Sequence, residues 1–367
     1  MKKKNAVKIS PVAKEQRETG YLHGRGAQIN TKNRFHREEN VREHIEAIDD
    51  WEEAAQPTVY IEQEAKSLVN KVDSPDVGMS YSMNPYAGCE HGCIYCYARN
   101  VHEYWGYSAG LDFERKIIVK KNAAALLRKF LQHSSWDGTP IMISGNTDCY
   151  QPAEQQFRIT RSLLEVCRDF NQPVGIITKN AAILRDKDIL EAMAVKQQVM
   201  VLVSITSLDE SIRRVMEPRT TTAEQKLKII NELSKAGVRT GVMMGPVIPG
   251  LNDHEMQQIM KAGADNGARF SAYTYIRLNG AVKLLFHDWL YKNFPDRADK
   301  IWHFIEQSHN GKVNDSRFGL RMRGEGPVAQ IMAQQFKKYG KLYGLNIEDW
   351  HLNSRLFQRP GAQGKLF

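Results

Sequence analysis

The chain has 367 residues, 42% hydrophobic and 25% charged, enough for a sizeable core in one large α/β domain or in two ordinary ones and too apolar for a disordered polymer. Its formal charge of +9 is uneven: about +8 over residues 1–37, about −7 over 38–53 and about +8 over 54–367, with about +6 of the last in 281–367. The mildly basic body permits a nucleic-acid or other polyanionic partner without demanding one, and the absence of any signal-length apolar stretch or apolar run of about 18 residues points to a cytoplasmic protein without a membrane span.

Residues 1–37 are basic and poor in aliphatics, and GRGAQINTKNRF shows neither a helical nor an alternating period, so an extended arm is expected that orders only against the body or a partner. VREHIEAIDDWEEAA reads as a short acidic helix, and TVYIEQEAKSLVNKV as a connector. Residues 1–77 are therefore set apart as arm and connector.

From about residue 78 to 280, short β-branched runs alternate with stretches of helical spacing, the signature of parallel β/α units. Strands are predicted at SYSMNPY (80–86), KIIVKK (116–121), TPIMISG (139–145), PVGIITK (173–179), QVMVLVSIT (198–206), VRTGVMMGP (238–246) and RFSAYTYIRL (269–278). The helices between them include AAALLRKFLQ, RITRSLLEVCRDF, AAILRDKDILEAMA, AEQKLKIINELSKAG and HEMQQIMKAGADNG. No GxGxxG follows the first strand, so a partial (β/α) TIM-like barrel fits better than a dinucleotide fold. Residues 281–367 turn helical and aromatic and read as a C-terminal helical extension packed on the barrel.

Five cysteines, three of them within eight positions, do not look like a disulfide framework in a chain this long; they look like thiolate ligands. The run NPYAGCEHGCIYCYARN spaces them C-x3-C-x2-C between a strand and a helix. Gly88 and Gly92 let the backbone bend so that Cys89, Cys93 and Cys96 can converge. Three soft ligands suit iron–sulfur or zinc; without a fourth cysteine in the loop, one corner of a cubane is left open for a small molecule, whereas a zinc loop would need His91 or a distant residue to close it.

This spacing, with the aromatic Tyr95 just before the third cysteine, resembles the signature of the radical S-adenosylmethionine (SAM) superfamily. The resemblance implies a [4Fe–4S] cluster on Cys89, Cys93 and Cys96 whose fourth iron takes the amino and carboxylate groups of SAM. It implies one-electron cleavage of SAM to methionine and a 5′-deoxyadenosyl radical, with the electron coming from a reductant protein of the flavodoxin or ferredoxin class. In a parallel barrel functional groups collect at the C-terminal strand ends. There MISGNTDCYQPAEQ, IITKN, VLVSITS and GVMMGPVIPGLND resemble, more narrowly, the spore photoproduct lyase-like branch, with TD-x-YQP-x-E the most telling run.

By that resemblance Tyr95 is a cofactor-binding residue, the stretch Gly145, Asn146, Thr147 and Asp148 contacts the methionine end of SAM, Lys179 and Ser204 meet its carboxylate and ribose region, and Pro249, Gly250 and Asn252 lie on its adenosine side. Lys179 has a physical reason as well, since a cation past a strand can pair with a carboxylate in a low-dielectric cleft. Cys149 is expected to return a hydrogen atom to a product radical, or else to be an inert core cysteine; Tyr97 is expected either to relay a radical or to pack the first helix. The final Gln363–Phe367 (QGKLF) resembles the peptide by which bacterial DNA-processing proteins attach to the sliding clamp, with Gly364 in place of the usual Leu.

The leading expectation is a radical SAM enzyme acting on DNA or RNA, in repair or base modification. A radical SAM enzyme on a peptide or small metabolite, and a non-catalytic iron–sulfur or zinc protein that binds nucleic acid or a clamp, are the alternatives.

Overall fold

The computed structural model describes residues 21–35 and 57–360. The acidic helix predicted within 41–55, most of the basic arm and the Gln363–Phe367 tail lie outside the described residues. Among the described residues there are ten strands: β1 Val59–Gln63, β2 Val69–Lys71, β3 Tyr81–Met83, β4 Tyr86–Ala87, β5 Lys116–Lys120, β6 Ile141–Ile143, β7 Val174–Thr178, β8 Val199–Ser204, β9 Arg239–Val247 and β10 Phe270–Tyr275. Seven form one sheet in the order β10-β9-β8-β7-β6-β3-β2. From β3 to β10 every neighbouring pair is parallel, and β2 runs antiparallel on the edge.

This is the partial barrel expected. Its central strands are apolar runs because both faces are covered: Val174, Ile176, Val199, Val201 and Val203 are at most 1% exposed. Each such side chain contributes roughly 1.5–3 kcal/mol when fully buried. The crossover helices begin where the sequence supplies a cap. Thr222 accepts from the Gln225 amide to start Ala223–Lys235, and Asp209 accepts from Ser211 N to start Glu210–Met216.

Two expectations are corrected. KIIVKK is not a barrel strand. As β5 it joins a separate three-stranded sheet, parallel to β1 and antiparallel to β4. The stretch read as a connector supplies β1 to that sheet and β2 to the barrel edge, because a short apolar run pairs with whichever edge the fold brings to it. The chain leaves the barrel at Asn84–Pro85 and enters the small sheet at Tyr86, so the cysteine loop hangs between the two sheets.

Residues 21–35 have no regular structure, yet Ala27, Ile29, Gln28 and Arg25 are all buried. They pack against the cysteine loop, and their backbone donors find side chains: Gly26 N and Ala27 N donate to the Glu114 carboxylate at 3.1 and 2.8 Å. The C-terminal part contributes helices Val282–Asn293, Ala298–Gln307 and Gly326–Leu342. Beyond them residues 343–360 are not helical but form a strap across the strand-start end of the sheet, fixed by Asn346 N to Arg269 O, Asn353 N to Gln197 O and Gln358 N to Phe170 O.

The open side of the sheet is filled by loops. The outer edge of β10 is met by Tyr275 N donating to Met322 O at 2.8 Å. The same segment reaches the β2–β3 hairpin through Arg321 Nε to Asp76 at 2.5 Å, Gly319 N to Asp76 at 2.6 Å, and Arg321 to Ser74.

Candidate active site

The cysteine loop is built by two glycines in the left-handed region, Gly88 (φ 77°) and Gly92 (φ 69°), where a side chain would also strike the Lys116 carbonyl or the Glu114 carboxylate. Tight turns follow: Gly92 N donates to Cys89 O and Cys96 N to Cys93 O, and Cys96 leads into the 3₁₀ run Tyr97–Trp105. Cys89 and Cys93 are buried and Cys96 is half-buried.

Burial pushes all three thiols above their ordinary value; for Cys89 the next contributors are Asp148, Cys93 and Cys96. The three sulfurs are therefore within electrostatic reach of one another. Because a metal takes thiolate, loading this loop must release protons.

The chemistry of this donor set fits an iron–sulfur cluster. Among the described residues no group of three or more His, Cys, Asp or Glu side chains is gathered closely enough to hold a single metal ion. A cubane spreads its irons over separate corners and asks only for three thiols from one loop. His91 is committed elsewhere: its Nδ1 lies 3.4 Å from Asp148 and its Nε2 3.1 Å from the Asn180 amide. Close by in sequence to Ser204, the Thr206 hydroxyl past β8 is buried without a partner among the described residues, as an acceptor or donor awaiting a polar ligand would be.

The run after β6 cradles this loop. Gln151 clamps its first turn on either side of Cys89, accepting from Glu90 N at 3.0 Å and donating to Gly88 O at 3.1 Å. Thr147 donates to Tyr86 O at 2.8 Å, and Glu154 accepts from the Tyr86 hydroxyl and from Thr160 N. Asp148 accepts from Tyr150 N, Thr178 Oγ1 and Lys179 N at 2.8–2.9 Å. Burial pushes its carboxyl up, but His91 and these donors outweigh it and hold it below the usual carboxylate range.

Of the stretch expected to border SAM, then, Gly145 and Asn146 are half-exposed, while Thr147 and Asp148 spend their side chains on the protein. Asn252 does likewise: its amide bridges Ile248 N, Pro246 O and Thr206 O. Pro249 is buried, and Gly250 (φ 78°) packs toward Phe304. Ser204, at the end of β8, is 1% exposed.

Cys149 is fully buried, its amide held by Ser144 and its carbonyl by Thr160. Burial, followed by Asp148, keeps its thiol well above the ordinary value. Tyr97 is 42% exposed and donates to Gly145 O at 2.5 Å.

The family model described as "Radical SAM superfamily" matches residues 83–263, the span from β3 through the helix Met256–Asp265. This chain belongs to the radical SAM superfamily. It is a radical SAM enzyme, and its cofactors are a [4Fe–4S] cluster and SAM.

An uncharacterized protein of Mycobacterium tuberculosis is 32% identical over 238 residues, 64% of this chain and 70% of that one. Another, from Methanocaldococcus jannaschii, is 25% identical over 241 residues, covering 66% and 86%. Among solved structures, spore photoproduct lyase complexed with dinucleoside spore photoproduct matches with a TM-score of 0.54 at 16% identity, over 78% of this chain and 80% of that one, which shows a shared fold. No helix among the described residues is long and apolar enough to cross a membrane.

Sequence reasoning missed a buried network behind this radical SAM loop. Ile94 N donates to Met216 O and Arg219 N to His91 O, so the turn after Glu210–Met216 straps the loop down. Within it Glu217, fully buried, accepts from the Tyr95 hydroxyl, from Lys226 Nζ at 3.0 Å and from Thr220. Burial raises the Glu217 carboxyl, but Lys226, Lys179 and Tyr95 reverse this and hold it at about 2.

Lys179 stands 6.0 Å over the Tyr95 ring and makes no ion pair among the described residues. Burial disfavours its charge, and Glu217, Cys93 and Asp148 more than restore it. Only the Glu-Pro-Arg order at 217–219 hinted at a fixed turn; nothing in the composition of AEQKLK betrays Lys226 as a buried residue.

Proposed function

We propose that this radical SAM enzyme acts on a nucleic acid, in repair or base modification. The supporting observation is where the positive charge lies. Arg277 and Arg323 belong to the two segments at the open side of the sheet and make no ion pair among the described residues, while Arg317 and Arg321 beside them are held by Asp315, Glu325 and Asp76; Arg277 reaches Tyr97, the residue after Cys96. A cationic rim beside an exposed ring is what a phosphate backbone with stacking bases needs. The likeness to a lyase solved with a dinucleoside photoproduct points the same way.

In this reading Cys89, Cys93 and Cys96 hold the cluster, and the Gly145–Asn146 backbone, Lys179, Ser204 and the turn Pro249–Asn252 surround SAM. The cluster, once bound, supplies the electron that splits SAM into methionine and a 5′-deoxyadenosyl radical. The residues of this chain orient SAM, keep water out and present a substrate hydrogen. A flavodoxin- or ferredoxin-class protein is the proposed reductant. With Cys149 wholly enclosed, its expected hydrogen-donor role gives way to packing, and a base-modifying reaction is favoured over dimer reversal by a thiol. Attachment to a sliding clamp through Gln363–Phe367 rests on the sequence alone.

The test is isotopic. The enzyme, reconstituted anaerobically with iron and sulfide and reduced with dithionite, is given SAM and carbon-deuterated DNA or RNA. Deuterium in the released 5′-deoxyadenosine, absent when Cys89, Cys93 and Cys96 are all Ala, supports the reading. Vigorous 5′-deoxyadenosine formation that never carries label from either polymer would sink it and favour a peptide or small metabolite.

A further inference from the structure

Two residues beyond β10, Arg277 extends over the Tyr97 ring, 5.5 Å from its centroid. Tyr97 in turn is tied to Gly145 O past β6, so one contact joins the exits of β3, β6 and β10 at the end of the sheet that carries the cysteine loop. The 3₁₀ run holding Tyr97 is fixed to the same exit: Asn100 donates to Asn279 O at 3.0 Å and accepts from Ala281 N at 2.9 Å.

Two of the neighbouring arginines are spoken for, and the third, Arg323, is exposed to solvent. Arg321 is held by Asp76 and Ser74, and Arg317 by Asp315 and Glu325. Arg277 is half-buried and pairs with no carboxylate among the described residues. Asp76 lies within its electrostatic reach, but that carboxylate already accepts from Arg321 Nε on one oxygen and from Gly319 N on the other. Burial and the charge of Arg321 both weaken the hold of Arg277 on its proton, and Tyr97 and Asp76 only partly compensate. A guanidinium in such a place gains more from an anion than one in open water does. Lys179, another cation at this end with no ion pair among the described residues, lies against Tyr95 instead, so it and Arg277 attend different rings and suit different anions.

We infer that Arg277 and Tyr97 form a phosphate-recognition subsite for the substrate, the planar guanidinium taking two oxygens of the phosphate beside the reacting nucleoside and the exposed phenol ring supporting the adjoining sugar or base. This deepens the nucleic-acid reading above and rests on it. The subsite places a phosphate one side chain away from the cluster loop and fixes the register of the polymer.

Fluorescence anisotropy of a labelled single-stranded DNA octamer on the holoenzyme tests it, over a salt series. Arg277→Gln is expected to weaken binding about tenfold and to lower the salt slope by about one, with Arg277→Lys in between, since it keeps the charge and loses the fork. Arg168→Gln, on an exposed stretch of the helix Ile159–Asp169, should match the parent. Equal binding by Arg277→Gln and Arg168→Gln overturns the subsite while leaving the nucleic-acid reading intact. If the parent binds no octamer, that reading fails, and calorimetry with inorganic tripolyphosphate decides the subsite alone: heat that disappears in Arg277→Gln keeps it, and no heat, or heat unchanged by the substitution, rejects it.

Discussion

The Tyr95 hydroxyl donates to the Glu217 carboxylate, so the aromatic residue of the cysteine signature is held by a buried ion whose counter-ion, Lys226, stands 3.0 Å away and is itself 1% exposed. Neither charge sees solvent, and the pair is worth having only while both members are present. Lys226→Met should therefore cost about 3–5 kcal/mol in urea unfolding, because it leaves the buried Glu217 carboxylate without its ion-pair partner, and the double change Glu217→Met with Lys226→Met should recover most of that loss. Additive losses in the double variant would show that the two charges are not coupled. The sign with pH is fixed by the depressed carboxyl: its contribution is complete above the usual carboxylate value and fades as the pH falls toward about 2.

A methyl group at Gly26 would sit 1.7 Å from the Gly92 carbonyl oxygen, so the N-terminal segment can dock beneath the cysteine loop only with glycine there. Gly26→Ala should lower the iron content and shorten the anaerobic half-life of the visible cluster absorbance. Gly78→Ala is the control, since nothing stands within 4 Å of the added carbon. Identical cluster retention in the two variants would show that the docked segment does not brace the loop.

His102 is 1% exposed, has neither ring nitrogen partnered among the described residues, and packs on Tyr107 and Phe113. Burial lowers its pKa to about 4, with Asp112 opposing the shift and Lys116 and Arg99 adding to it. The unfolded chain binds this proton at its ordinary value near 6.5, so folded stability is complete above that pH and drains as pH falls toward 4. Thermal unfolding of the parent from about pH 7 to 5 should show a drop that His102→Phe flattens; parallel curves would mean that the imidazole does not titrate with folding.

Lys179 should act on SAM rather than on the fold. Lys179→Met is expected to raise the SAM concentration for half-maximal 5′-deoxyadenosine formation about tenfold, worth about 1.4 kcal/mol, with Lys179→Arg intermediate. A fall in maximal rate at unchanged SAM dependence would assign the ammonium to the radical step instead.

The β/α alternation was legible because burial on both faces leaves apolar runs in β7, β8 and β9 that no solvent-facing strand shows. KIIVKK carries the same signal, and only a partner more than fifty residues earlier, β1, sends it to another sheet; local pattern holds no such information. The cysteine spacing was legible because its geometry is local. Gln151, Glu217 and Lys226 were not, since a buried polar residue and a solvated one are the same letters until the fold supplies partners. Residues 21–35 were read as an aperiodic arm that orders against the body, but which of them would be buried was not legible for a related reason: with their donors satisfied by the Glu114 and Gln28 side chains, they need no ladder and show no period.

The seam between the β2–β3 hairpin and the outer edge of β10 is closed by Asp76, Arg321 and Ser74 rather than by a strand ladder. Parting two central strands would break a row of backbone bonds and unpack the core, whereas parting this seam breaks one ion pair and two hydrogen bonds. Among the described residues, the wall is thus held more weakly along this seam than between its paired strands. On the nucleic-acid reading proposed above, such a seam would let an unbroken polymer be engaged from the flank at an internal position, with no free end to thread.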